Sequence, residues 1–314
     1  MNRIVTLTMN PAVDMFLEIS RLEPNRKLRC PEPLYFPGGG GINVSRAIRR
    51  LGETSMALFP AGGAAGDRLT TMMQREEIPT DCVRIRADTR QNIHVVEHAG
   101  GREYQFIVPG PALNQDEWEH CVRALDSLSP APEYVVASGS LPPGVPVDFY
   151  ARLAALALKR GFRLIVDTSG EALRQAAVKG TFLLKPNVGE LADASDGGMF
   201  TESFIEGAAA AIVQTKGVGV VVVSAGAAGA ILVDAGGTRR IPAPLVRIAS
   251  RTGAGDSMVA GIVVALARGL PIDDAVRFGV AAGAAAVMTP GHQLCRREDA
   301  EALFALELHG KTAA

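Results

Sequence analysis

The chain reads as an α/β protein: a three-layer sandwich with a mostly parallel central sheet between helices, and a small β-sheet lid beside it. Three observations predict this. Apolar runs of strand length and β-branched character recur along the chain. Stretches with helical spacing separate them. Two stretches with a strand-like pattern, about 16–36 and 91–108, interrupt the alternation.

Taken in order, residues 3–8 form the first apolar run, and residues 42–51 carry a helical pattern that stops at Gly52. The second interruption places Gly100-Gly101 between Ile93-His94-Val95-Val96 and Tyr104-Gln105-Phe106-Ile107, a hairpin pattern. Both interruptions stand beside candidate ligand residues, so they read as a separate lid rather than as edge strands of the main sheet. His94 and His98 alternate on this lid without a carboxylate or cysteine to complete a metal set, and are expected to be exposed. Further on, residues 115–128, 147–160 and 203–216 read as crossover helices, with Trp118 packing the first against the sheet. Residues 134–138, 164–167, 182–185 and 218–224 read as buried strands, and the Ala/Gly-rich stretch 281–286 as a closely packed helix. No internal repeat divides the chain, so residues 1–314 are expected to form one domain with its lid.

With 314 residues, 47% hydrophobic and 21% charged, the chain can bury one large core or two modest ones. A formal net charge of -1 gives no whole-molecule reason to bind nucleic acid or an anionic membrane, so any anion site must be local. Cys30, Cys82, Cys121 and Cys295 are widely spaced, which argues against a disulfide framework and against structural zinc. The start of the chain lacks the apolar stretch of a signal peptide, and no apolar run reaches membrane-spanning length. A cytoplasmic protein is the expectation.

The sharpest motif is Thr252-Gly253-Ala254-Gly255-Asp256-Ser257, followed by the apolar helix 258–267. A Gly-Ala-Gly turn at a helix start presents bare backbone N–H groups to negative charge, and an Asp there can take the proton of an attacking hydroxyl. That is the chemistry of phosphoryl transfer. Gly38-Gly39-Gly40-Gly41 opens another helix, lets backbone approach a ligand closely, and is followed by Asn43, which can bond sugar hydroxyls. Lys185-Pro186-Asn187 and Glu190 follow a buried strand, at the end where ligands collect in open α/β sheets, and suit a nucleotide with Mg²⁺. Residues 224–229, Ser-Ala-Gly-Ala-Ala-Gly, fit equally a nucleotide floor and a hairpin turn. Gly310-Lys311-Thr312 lacks the first glycine of a Walker A loop, and the four-glycine run does not extend to GxGxxG, which weighs against a nicotinamide-dependent oxidoreductase.

Together these pieces resemble the phosphofructokinase B group of ribokinase-like sugar kinases, from Thr6 to about Asp299. Further marks are Lys27-Leu28-Arg29-Cys30, Phe59-Pro60-Ala61-Gly62-Gly63-Ala64, Arg90-Gln91-Asn92, Ser138-Gly139-Ser140-Leu141-Pro142-Pro143-Gly144 and Arg277-Phe278-Gly279-Val280-Ala281-Ala282-Gly283. The resemblance implies ATP-dependent phosphorylation of the C1 hydroxyl of fructose 6-phosphate. Asp256 would be the base, with Gly253, Ala254 and Gly255 as the anion hole. Asp14, Gly39, Gly40, Asn43, Asn92 and Ser138 would hold the sugar, while Lys27, Arg29 and Arg90 would grip its phosphate. Lys185, Asn187, Ser224, Gly226 and Gly229 would hold ATP, and Glu190 the Mg²⁺, directly or through water. A monovalent cation such as K⁺ would sit near Ser250, Thr252, Ala286 and Gly291, and two subunits would pair through their lids as a homodimer. Two features depart from this pattern. Asn10-Pro11-Ala12-Val13-Asp14 looks more like the branch acting on fructose 1-phosphate or tagatose 6-phosphate, although that branch usually carries Gly-Lys-Gly where Gly39-Gly40-Gly41 stands here. Arg251 stands where a small or polar residue is usual.

Overall fold

The computed structural model describes residues 3–195, 201–290 and 293–310. The first half of the chain runs β1 (Ile4–Leu7), β2 (Ala12–Ile19), β3 (Leu34–Gly38), α1 (Gly40–Arg50), β4 (Met56–Ala61), α2 (Gly63–Arg75), β5 (Thr80–Arg84), β6 (Arg90–Glu97), β7 (Arg102–Phe106) and α3 (Gln115–Ser127). It continues with β8 (Tyr134–Ser138), α4 (Phe149–Arg160), β9 (Arg163–Asp167), α5 (Gly170–Ala176), β10 (Thr181–Leu184), α6 (Val188–Ala194), α7 (Glu202–Lys216) and β11 (Val220–Ser224). The last elements are β12 (Ala230–Asp234), β13 (Gly237–Ile241), α8 (Ala254–Ala267), α9 (Ile272–Val287) and α10 (Arg297–Gly310).

The larger sheet has the order β13-β12-β11-β10-β9-β8-β1-β4-β5; the strands from β11 to β5 are parallel to one another, while β12 and β13 are added antiparallel. Its central strands, such as β1, β8 and β11, are largely apolar on both faces because both faces are covered. Val135 and Ala137, with Val221 and Val223, pack with α3, α4 and α7 on one side. Tyr134 and Val136, with Val220 and Val222, pack with α1, α8 and α9 on the other. Two residues per repeat thus build two cores and the expected three-layer sandwich. β4 and β5 do not stand out in the sequence as buried strands, because Pro60, Thr80 and Asp81 break the apolar run.

The two interruptions form a separate four-stranded sheet, β3-β2-β6-β7, with β2 parallel to β6. Its boundaries differ from those expected. β2 begins at Ala12, which brings Asp14 onto this sheet, while residues 20–33 form no strand. Pro24, Pro31 and Pro33 remove backbone donors from that stretch, and Pro37 is tolerated because β3 is an edge strand. The turn at Gly100-Gly101 joins β6 and β7 as expected. His94 departs from expectation. It is buried, its ring stacked on Phe16 at 4.4 Å, because the face it shares with Phe16 and Asn92 is covered; His98 is exposed.

α8 and α9 approach so closely that Gly261 and Gly279 face each other. A Cβ at Gly261 would lie 2.8 Å from the Gly279 Cα and 2.8 Å from the Ala282 Cβ. Glycine costs a helix interior up to about 1 kcal/mol relative to alanine. Gly261→Ala should nevertheless lower stability, by about 1–3 kcal/mol, because overpacking against backbone outweighs the propensity gain. Urea unfolding of the variant, with the midpoint moving down, is the measurement; an upward shift would show that the helices part without cost.

Candidate active site

Parallel strands from β11 to β5 place their carboxyl ends on one edge of the sheet, and most of the candidate residues collect there. α8 begins at Gly253, in the left-handed conformation at φ 77°, so its first-turn N–H groups open outward and Asp256 sits in that first turn. α1 begins at Gly39, with φ 104°, and carries Asn43. Asn43 Nδ2 donates to Asp256 Oδ2 at 3.0 Å, joining the two glycine turns. All four glycines in the run are crowded by the protein itself: Gly39, with its positive φ, would bring a Cβ within 2.8 Å of Thr8 Cγ2. A Cβ at Gly38 would meet Asp14 Oδ2 at 2.3 Å, one at Gly40 would meet Ser138 Oγ at 2.4 Å, and one at Gly41 would meet Thr8 Oγ1 at 2.5 Å. The run lets the start of α1 settle onto the ends of β1 and β8.

Lys185 follows β10 and is buried. Its ammonium pairs with Asp167 Oδ1 at 3.0 Å, and a Cβ at Gly255 would lie 3.8 Å from its Nζ. The cation therefore sits against the anion turn. Burial works against this charge, but Asp167, then Glu190 and Asp256, outweigh it, and the lysine pKa lies above its ordinary value. Asp256 moves the other way. Withdrawal from water pushes its pKa up to about 7, the charge of Asp167 adds to this and Asp14 contributes, while the Asn43 hydrogen bond and Lys185 oppose it. A carboxylate with that pKa is suited to take a proton near neutral pH.

Asn187 caps α6. Its Oδ1 accepts from the Glu190 N–H at 2.8 Å, and Glu190 Oε2 accepts from the Asn187 N–H at 2.8 Å. Burial, with Asp167 adding, raises the Glu190 pKa despite that bond and Lys185. Among the described residues no three His, Cys, Asp or Glu side chains converge to hold a metal by themselves. Ser224 ends β11, and both readings of residues 224–229 coexist. The segment turns β11 into the antiparallel β12, and Ser224, Gly226 and Gly229 also line a cavity of about 570 Å³ closed by Ala254 and Gly255.

On the smaller sheet, Asn92 Nδ2 donates to Asp14 Oδ1 at 2.8 Å, with His94 Nε2 3.8 Å from the same oxygen. Arg90 heads β6, and its guanidinium donates to the Val108 carbonyl at 3.0 Å and the Asn10 carbonyl at 2.9 Å beside a cavity of about 670 Å³. Burial holds its pKa below the usual arginine value, opposed by Asp14. Lys27 and Arg29 are not brought to it. They lie exposed on residues 20–33 and have no hydrogen bond or ion pair among the described residues. Ser250 Oγ donates to Glu103 Oε2 at 3.2 Å, Thr252 Oγ1 accepts from Gln105 Nε2 at 2.9 Å, and the Ala286 carbonyl accepts from both the Thr289 hydroxyl and N–H. Gly291 lies outside the described residues.

Asp167 is the residue that sequence reasoning missed. An acidic residue ending a buried apolar strand, at the edge where ligands collect, was the available signal.

The sequence matches the pfkB family carbohydrate kinases over residues 4–299. It is 42% identical over 304 residues to the ATP-dependent 6-phosphofructokinase isozyme 2 of Mycobacterium tuberculosis, covering 97% of this chain and 89% of that one. Over 304 residues it is 33% identical to a 1-phosphofructokinase of Borreliella burgdorferi, covering 96% of each. Two solved structures of phosphofructokinase-2 from Escherichia coli superpose on it. The complex with potassium has a TM-score of 0.92 at 41% identity, the complex with fructose-6-phosphate 0.91 at 40%, and each covers 98% of this chain and 99% of the other.

The raised pKa of Asp256 carries a stability consequence. Its carboxyl ionises at about 7 in the fold but at the ordinary 3.8 when unfolded. The folded state therefore holds its proton longer, and the penalty on folding grows as pH rises from about 4 to about 7, then stays constant. Asp256→Asn should raise Tm, by more at about pH 8 than at about pH 5. Differential scanning calorimetry at both pH values tests it; a Tm gain that is absent, or larger at the lower pH, contradicts the burial of this charge.

Proposed function

The chain belongs to the pfkB family of carbohydrate kinases, and from that premise we propose that it transfers the terminal phosphoryl group of ATP to the C1 hydroxyl of fructose 6-phosphate, giving fructose 1,6-bisphosphate and ADP. The observation that carries this reading is the Asn43 to Asp256 hydrogen bond, which sets a carboxylate base between a glycine-opened helix and a bare helix N-terminus.

The C1 oxygen attacks the terminal phosphorus, its proton passes to the Asp256 carboxylate, and the bond from that phosphorus to the bridging oxygen breaks as ADP leaves. The N–H groups of the first turn of α8, at Ala254, Gly255 and Asp256, receive the charge that spreads over the transferred group. Lys185, held against the turn by Asp167, adds a fixed positive charge. Asp14, oriented by Asn92, accepts from sugar hydroxyls alongside Asn43, Ser138 and the backbone at Gly39 and Gly40. Arg90 keeps one buried, unpartnered donor, Nε, for the substrate's phosphate, and the unpaired Lys27 and Arg29 complete the clamp as the smaller sheet closes as a lid over the single domain. Ser224, Gly226 and Gly229 line the nucleotide side, where Asn187 fixes the start of α6.

The carboxylates of Asp167, Glu190 and Asp256 surround one ammonium, a surplus of negative charge that fits a divalent cation arriving with the nucleotide. Glu190 would hold Mg²⁺ through water, one of its oxygens being committed to the cap. When bound, Mg²⁺ neutralises charge on the terminal phosphates. The Ser250 and Thr252 hydroxyls keep a lone pair beyond the hydrogen bonds they make, and with the Ala286 carbonyl they supply the hard oxygens that would suit a K⁺ beside the anion turn, through which no step runs. A second reading, a kinase for fructose 1-phosphate or tagatose 6-phosphate, is favoured by the Asn10–Asp14 segment and by the likeness to a 1-phosphofructokinase.

The edge strands β3 and β7, with Leu34, Phe106 and Ile107 exposed at or just beyond their ends, support a homodimer built through the lids. That no helix among the described residues is long and apolar enough to cross a membrane supports a cytoplasmic enzyme. Sedimentation at micromolar concentration should show a dimer; a monomer overturns the pairing.

Coupled assays with the three sugar phosphates should show fructose 6-phosphate turned over best, and equal or better turnover of either other sugar would sink the substrate assignment. Asp256→Asn should keep nucleotide binding and lose about 10²–10⁴-fold in kcat. The unaltered enzyme's kcat/KM should fall roughly tenfold per pH unit below about 7, after correction for the sugar phosphate's own titration. A flat profile would remove Asp256 as the base.

A further inference from the structure

Residues 250–252 form a wall between two cavities. Ser250 and Thr252 line one of about 420 Å³ under the smaller sheet. Arg251, between them, lines the cavity of about 570 Å³ on the other side, which Ala254 and Gly255 close. Neighbours in the chain thus point to opposite sides of the segment. The outer two are fixed: Glu103 accepts from the Ser250 hydroxyl, Gln105 donates to the Thr252 hydroxyl, and the Ser250 N–H donates to the Val287 carbonyl at 3.2 Å. Arg251 itself is exposed and has no hydrogen bond or ion pair among the described residues. It is also the one charged residue on the lining of its cavity, whose other described walls are small or apolar, among them Gly226, Ile248, Val280 and Val287.

We propose that Arg251 binds the nucleotide by its phosphate chain, on the side of the base from the transferred group. The assignment rests on the kinase reading above. A nucleoside triphosphate is an apolar ring joined to a polyanion, and this cavity has apolar walls at one part and a helix N-terminus at the other. The terminal phosphoryl group belongs at that N-terminus, with Lys185. Lys185 is already paired with Asp167, so among the described residues that line the cavity the uncommitted cation for the inner phosphates is Arg251, two residues ahead of Gly253. A guanidinium bonds a phosphate through two parallel N–H groups, which a small polar residue at this position cannot do. The wall holds its Cα in place at no cost to the side chain's reach.

The competing role for an arginine here is stacking on the base, and a nucleotide series separates the two. Titration calorimetry with ADP and with adenosine, on the intact protein, on Arg251→Thr and on Arg251→Lys, reads the assignment. Arg251→Thr should weaken ADP by about 10–100-fold, as expected for a lost hydrogen bond to a charged group, and leave adenosine unchanged. Arg251→Lys should fall between. In steady state the loss should appear in KM for ATP rather than in kcat. Unchanged ADP affinity in Arg251→Thr overturns the proposal, as does equal weakening of ADP and adenosine, and both outcomes leave the kinase reading standing. Failure of the unaltered protein to bind ADP would overturn that reading and the Arg251 assignment together. Because Arg251 is exposed and unpaired, its variants should unfold at the Tm of the parent, which keeps a binding loss from being a folding loss.

Discussion

The hydrogen bond from Asn43 to Asp256 joins residues 213 positions apart and sets what the rest of the fold must do. It needs two helices to begin at one point above the carboxyl edge of the sheet. α1 reaches that point only because no Cβ at positions 40 and 41 meets the ends of β1 and β8. α8 reaches it by lying almost in backbone contact with α9 at Gly261 and Gly279. The glycines at the site and those deep between the helices therefore serve one placement. Two helix N-termini, neither capped by a side chain, converge there and concentrate positive potential in a molecule of nearly neutral charge.

Electrostatics at that point are deliberately unbalanced. One buried lysine faces Asp167, Glu190 and Asp256, and the pKa values of Glu190 and Asp256 rise because burial, with the charge of Asp167 added, outweighs the single ammonium and the hydrogen bonds to them. Buried ion pairs seldom repay their desolvation in stability. A surplus of carboxylate is worse for the empty fold than a matched pair, and becomes favourable only when positive charge enters with a ligand. Burial, with the charge of Asp167 added, holds the Asp256 carboxylate near the pKa at which it can take a proton at neutral pH.

Much of this was legible in the sequence, for physical reasons. Strands covered on both faces must be apolar throughout, so Tyr134–Ser138 and Val220–Ser224 stand out as runs. The Gly253 turn declares itself because glycine takes its left-handed backbone without a Cβ penalty and leaves the helix start open. What stayed hidden depends on neighbours that are distant in sequence. Asp167 looks like the end of a strand until β10 puts Lys185 beside it. His94 looks exposed until Phe16 pairs with it across β2 and β6. Arg90 looks like a free clamp until two loop carbonyls are found on its guanidinium. The glycine run looked like a cradle for ligand alone, and its neighbours proved to be Asp14, Ser138 and Thr8.

The smaller sheet is attached unequally at its two ends. At its root, Val13 of β2 is buried with Ile42, Phe59 and Leu69, an apolar contact that persists as long as the domain is folded. At its far side, β7 reaches the main body through the Glu103 and Gln105 side chains, bonded to Ser250 and Thr252. Side-chain hydrogen bonds of this kind are worth a net of about 0.5–1.5 kcal/mol each, because water replaces them when they part. The attachment is therefore apolar and firm at the root, and polar and lighter at the tip. The tip meets the residues flanking Arg251, immediately ahead of Gly253. The sheet that carries Asp14 is thus hydrogen-bonded to the segment leading into the Gly253 turn, so the position of that sheet and the approach to that turn are set together.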